Sequence, residues 1–140
     1  PSKTEQGDIA FGWGLAKEIA GLDIGQSVVI KERSVMAVEA IEGTDAAIRR
    51  GADLGGGGVT VVKVAKPGQD VRFDVPTVGV DTVQAMAQAG ATCLGLEAGL
   101  TLVLDRAEMV TAADAAGISI VLEEPRADAA RGVEGSRIPS

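Results

Sequence analysis

Residues 78–122, VGVDTVQAMAQAGATCLGLEAGLTLVLDRAEMVTAADAAGISIVL, carry the clearest structural punctuation in the 140-residue chain. A short apolar strand at 78–80 leads to Asp81, which suits a helix N-cap, with Gln84 three residues on and Gly90 as a stop. A helix is therefore expected over 82–89. Apolar strands are expected at 92–96 and 100–104, joined by Glu97-Ala98-Gly99, then a helix over 106–116 ending at Gly117 and a last buried strand at 118–122. Strands alternating with short helices define the fold class: an α/β single domain, with a mixed, partly parallel sheet and short helices packed on it.

Working outward toward the amino terminus, Ile9, Ala10, Trp13, Ala16, Lys17 and Ala20 have helical spacing, with Asp8 placed as N-cap and Gly21 as a stop. Residues 26–31 and 34–40 are β-rich and separated by Glu32-Arg33, which predicts a tight hairpin or a bulged pair. Gly43-Thr44-Asp45 then opens a helix to about residue 52, with Thr44 or Asp45 available to cap it. The glycines at 55–58 connect to a strand over 59–65. A turn at Lys66-Pro67-Gly68 precedes an extended segment at 71–73, where Pro76 favours an edge or a bulge. The domain is expected at 8–124, with flexible termini at 1–7 and 125–140.

The chain is 46% apolar but only 2% aromatic, so its core must be built from Val, Ile, Leu and Ala. A formal net charge of −7 argues against a general nucleic-acid binder and makes any basic cluster more informative. Cys93 is the single cysteine, which excludes an internal disulfide and suits a reducing compartment, so a cytoplasmic location is expected. No apolar run approaches the roughly 20 residues that span a bilayer, so contact with lipid is peripheral at most. The chain has no histidine, which removes Ser-His-Asp triads, Cys-His pairs and His-ligated metals from consideration.

Two blocks can carry chemistry with the residue types that remain. In Glu42-Gly43-Thr44-Asp45-Ala46-Ala47-Ile48-Arg49-Arg50, a glycine precedes a helix start, where free amides and the dipole suit a phosphate, and the arginines can add contacts. The same residues equally describe a capped helix with a solvated basic face. In the second block, residues 63–81, an extended 71–75 would put Arg72 and Asp74 on one face, near Lys66 and Lys63. That suits a pyrophosphate with a divalent cation held, or a water oriented, by Asp74; a surface ladder of ion pairs has the same pattern. Thr77 and Gly79 add donors nearby or serve as strand-end residues, and Glu97 is an acid at a strand end or a turn residue.

Taken together, the motifs at 23–29, 38–45, 66–79 and 97–99 resemble, in order and spacing, the carboxyl-terminal domain of LpxI-type UDP-2,3-diacylglucosamine pyrophosphatases. The combined EGTD and KPxQDxRFDxPTxG match, within about 8–122, carries the resemblance. It implies a metal-dependent hydrolase of lipid A biosynthesis that splits UDP-2,3-diacylglucosamine into 2,3-diacylglucosamine 1-phosphate and UMP. It also implies an amino-terminal Rossmann-like partner domain, absent from this chain, with substrate held between the two. The implied catalytic residues are Asp74, Arg72 and Lys66. Substrate contacts fall on Thr44, Asp45, Gln69, Thr77 and Gly79, and Mg²⁺ or a similar divalent cation on Asp74 with Asp70. An isolated binding or assembly module, and a homodimer formed along a strand edge, are the alternatives.

Overall fold

The computed structural model describes residues 1–66, 77–98 and 102–124. Its elements run α1 (Lys3–Gly21), β1 (Ser27–Lys31), β2 (Ser34–Val38), α2 (Thr44–Gly55), β3 (Thr60–Lys63), β4 (Thr77–Val78), α3 (Val80–Ala89), β5 (Cys93–Glu97), β6 (Leu102–Val103), α4 (Arg106–Ala116) and β7 (Ser119–Glu123). Among the described residues, five strands form one sheet in the order β2-β1-β3-β5-β7. The β2-β1-β3 half is antiparallel and the β3-β5-β7 half parallel. This is the mixed, partly parallel α/β sheet expected from the sequence. β4 and β6 pair separately, in parallel, rather than joining it.

Period-two alternation decides which helix covers which face. Val28, Ile30, Val62, Val64 and Cys93 point to one side and bury Ile9, Trp13, Ala16 and Ala20 of α1. Val29, Val61, Leu94 and Leu96 point to the other and pack with Ile48 of α2, Val83 and Met86 of α3, and Met109 and Ala113 of α4. Each fully buried Val, Leu or Ile contributes roughly 1.5–3 kcal/mol relative to exposure, so the core is mainly aliphatic, with Trp13 as the buried aromatic among the described residues. α2 lies unusually close to the sheet: a Cβ built on Gly51 would stand 2.6 Å from Cβ and Cγ1 of Val29.

Several boundaries differ from the expectation, each for a local reason. α1 starts at Lys3, not Asp8, because Ser2 and Glu5 form a reciprocal capping box. Asp8 is instead buried and accepts from the Glu32 and Arg33 amides at 3.1 and 2.9 Å. Those two residues are the hairpin turn, with φ of 49° and 61°, a left-handed pair that ordinary side chains resist; the Asp8 carboxylate offsets the cost. The pairing register shifts between Val29 and Ile30, so the hairpin is bulged as well as tight.

Gly21 lies inside α1, and Leu22 is the C-cap. Neither Thr44 nor Asp45 caps α2: Gly43 occupies the N-cap, and no side chain bonds there. Likewise Gly79, not Asp81, precedes α3, which begins at Val80. Gly90 and Gly117 end α3 and α4 in the left-handed conformation that the stop signals require. The extended segment expected at 71–73 and the tail at 125–140 lie outside the described residues.

Candidate functional site

The carboxyl ends of β3, β5 and β7 share one edge of the molecule with the start of β1 and the amino-terminal ends of α2 and α3. Sites in α/β sheets form at this edge because the loops leaving the strands converge there. Ser27, the first residue of β1, pairs in register with Lys63, the last of β3, which brings polar side chains from two strands together.

Around that pair, Ser27 Oγ lies 3.3 Å from Thr44 Oγ1, and Thr44 Oγ1 donates to Glu39 Oε1 at 3.4 Å. The same Glu39 oxygen accepts from the Gln26 amide at 3.1 Å. Gly25 permits this crossing, since a Cβ there would collide with the Glu39 carbonyl. The Lys63 ammonium donates to the Thr77 carbonyl at 3.2 Å. Burial pushes Lys63 below its ordinary value, and the negative charges of Glu39 and Asp45 oppose that shift.

A shallow cleft of about 170 Å³ adjoins the cluster, lined in part by Asp23, Gln26, Glu39 and Lys66. Lys66 forms an ion pair with Asp23. Thr44 and Lys66 therefore converge, both lying beside Glu39. Asp45 is exposed in the first turn of α2. Thr77 and Gly79 line a neighbouring groove that also carries Asp81, Asp105 and Glu108, an acidic lining unlike that of the first cleft. Gln69, Asp70, Arg72 and Asp74 lie outside the described residues.

The remaining charged residues resolve differently from the functional reading of the sequence. Arg50 forks onto Glu42 at 2.9 and 3.1 Å and donates to the Val38 carbonyl, so it braces the loop before α2. The Arg50 contact holds the Glu42 carboxyl below its usual range. Glu97 is 1% exposed and paired with Lys17 at 2.8 Å rather than lying in a turn. Cys93 belongs to the core, where burial pushes its thiol up to about 12.

Sequence reading missed Glu39, Ser27 and Gln26 as members of the site. Their signal was polarity at the ends of otherwise apolar β-rich runs: Gln26-Ser27 before Val28, and Glu39 after Val38.

An ammonium, the Thr44 hydroxyl and the first-turn amides of α2 lie on one rim and can meet an anionic oxygen, with the Glu39 carboxylate beside them; Ser27 is buried beneath Thr44. Among the described residues, no group of three or more Asp, Glu, Cys or His side chains could hold a metal ion. Those residues alone do not make a divalent-cation centre.

Fold and site thus define an α/β domain with a polar cleft at the carboxyl edge of a mixed sheet. The LpxI C-terminal domain family model matches residues 1–121, and the chain belongs to that family. It is 42% identical over 135 residues to the UDP-2,3-diacylglucosamine pyrophosphatase LpxI of Caulobacter vibrioides, a match covering 90% of this chain and 48% of that protein. The chain spans about half the length of the curated relative it matches.

Proposed function

We propose that this chain is the carboxyl-terminal half of a UDP-2,3-diacylglucosamine pyrophosphatase acting in lipid A biosynthesis, releasing 2,3-diacylglucosamine 1-phosphate and UMP. The observation that carries the reading is the convergence of Ser27, Glu39, Thr44, Lys63 and Lys66 at the carboxyl edge of the sheet, in a chain 42% identical to an enzyme of that name.

In this reading Lys63, Lys66, Thr44 and the α2 amino-terminal end receive the diphosphate oxygens. A half-buried ammonium that is costly to keep charged gains from a dianionic partner, which restores the charge balance burial removed. Glu39 holds Thr44 and the Gln26 amide in place. Asp74 and Arg72 belong to the same reading through the family motif, with Asp74 orienting the attacking water. A divalent cation would be held by Asp70 and Asp74 and would supply Lewis-acid polarisation of the diphosphate. Catalysis at the cytoplasmic face fits a chain in which no helix among the described residues is long and apolar enough to cross a membrane.

The test is hydrolysis of UDP-2,3-diacylglucosamine by the chain joined to an amino-terminal half such as its Caulobacter relative carries, followed by UMP release. Turnover is expected in the joined protein and is expected to fall by several orders of magnitude in Asp74→Ala. Full turnover by that variant would refute the role of Asp74, and absence of turnover in the joined wild type would refute the activity.

A further inference from the structure

Glu97 ends β5 and is 1% exposed, an ionisable side chain inside the fold. Its Oε1 accepts from the Ala65 amide at 2.9 Å and from Lys17 Nζ at 2.8 Å. Lys17 Nζ in turn donates to the Ala65 carbonyl at 2.9 Å. Both backbone polar groups of Ala65 are thus held by side chains, one from α1 and one from β5.

Stability alone does not explain this arrangement. Replacing a buried ion pair with apolar residues is often neutral or stabilising, because desolvation cancels the attraction. What the pair does here is local. The β3 ladder ends at Lys63, and the chain leaves the sheet over the next two residues. Val64 is tied at both ends to Gln26, through Val64 N to Gln26 O and Gln26 Nε2 to Val64 O, each at 3.0 Å. Ala65 is tied by Lys17 and Glu97. The next residue is Lys66, which lines the cleft beside Glu39. A strand exit fixed by side chains on both residues before Lys66 sets the direction from which that ammonium enters the cleft.

We propose that Glu97 and Lys17 are positioning residues for the hydrolysis: their ion pair clamps Ala65 and so aims Lys66 at the diphosphate. Neither touches the substrate. The inference rests on the pyrophosphatase reading given above, and Lys66 provides the means to separate the two.

The experiment is a kinetic cycle in the joined two-half protein, run well below the melting temperature of each variant. Lys66→Ala is expected to lower kcat/KM at least tenfold. Glu97→Ala should lose most of that factor, and Glu97→Ala/Lys66→Ala should be no worse than Lys66→Ala alone, because both remove the same contact. Glu97→Gln keeps an acceptor for the Ala65 amide and should recover activity to within about threefold of wild type.

Should Glu97→Ala fail to fold, the double variant Lys17→Met/Glu97→Gln leaves no buried charge unpaired while releasing the Ala65 carbonyl. It is expected to lose tenfold or more. Wild-type kcat/KM in a folded Glu97→Ala or Lys17→Met/Glu97→Gln, or additive losses with Lys66→Ala, would overturn the clamp. A normal Lys66→Ala would instead count against Lys66 as a diphosphate contact, the assignment on which the clamp depends.

Discussion

Substituting Gly51 by alanine tests how closely α2 is seated on the sheet. The new methyl would lie 2.6 Å from Cβ and Cγ1 of Val29 and 3.0 Å from its Cγ2. Carbon atoms in good contact sit about 3.5–4.0 Å apart, so the helix must retreat by about an ångström or Val29 must leave its rotamer. Overpacking of this kind costs roughly 1–3 kcal/mol. Replacing glycine inside a helix returns about 1 kcal/mol, leaving a net loss of up to about 2 kcal/mol. For a domain of this size that lowers the melting temperature by up to roughly 10 °C.

Gly14→Ala is the matched control. It lies in α1, exposed, with nothing within 4 Å of the added Cβ, so only the helix gain remains. It should raise the midpoint by about 2–5 °C. Thermal and urea unfolding of both variants, followed by far-UV circular dichroism, decides the matter. A Gly51→Ala variant stabilised like Gly14→Ala would refute the close seating of α2, and with it the geometry that places Thr44.

Three further outcomes are expected. Cys93, with its thiol pushed up to about 12 by burial, should resist iodoacetamide at pH 8 in the native protein and react once urea unfolds it; native labelling by mass spectrometry would contradict its core position. Asp8→Ala removes the acceptor of two turn amides and should cost about 2–3 kcal/mol in urea unfolding, with faster hydrogen exchange at Glu32 and Arg33; unchanged exchange there would show that Asp8 does not hold the turn. Because the folded Lys63 value is depressed, its contribution to stability is fully present above the unfolded value of about 10.4 and is lost as pH falls through the folded one. Lys63→Met should therefore be more stable than wild type at neutral pH, with the difference narrowing toward pH 10; a difference that widens with pH would reverse the sign.

The βαβ half was legible because its signals are local: apolar runs for β5 and β7, and Gly90 and Gly117 in the left-handed conformation that their positions required. Helix starts were less so. Asp8 and Asp81 have the chemistry of N-caps, but Asp8 is claimed by a hairpin turn 24 residues away and Asp81 falls inside the first turn of α3. The partner of Asp8 is set by tertiary packing, which no local pattern encodes. The same holds for Glu97, whose pairing with Lys17 spans 80 residues. At the candidate site, Thr44 and Lys66 were named from motif chemistry, and the structure puts both near Glu39. Glu39 and Ser27 were not, because each is an ordinary strand-end residue until the antiparallel pairing of β1 with β2 and β3 gathers them.

The central claim, that the polar rim around Lys63 receives the diphosphate, is tested most directly by the rate of UMP release from UDP-2,3-diacylglucosamine in the joined two-half protein carrying Lys63→Met. The variant is expected to stay folded and to lose at least tenfold in kcat/KM. Wild-type turnover by folded Lys63→Met would contradict the account.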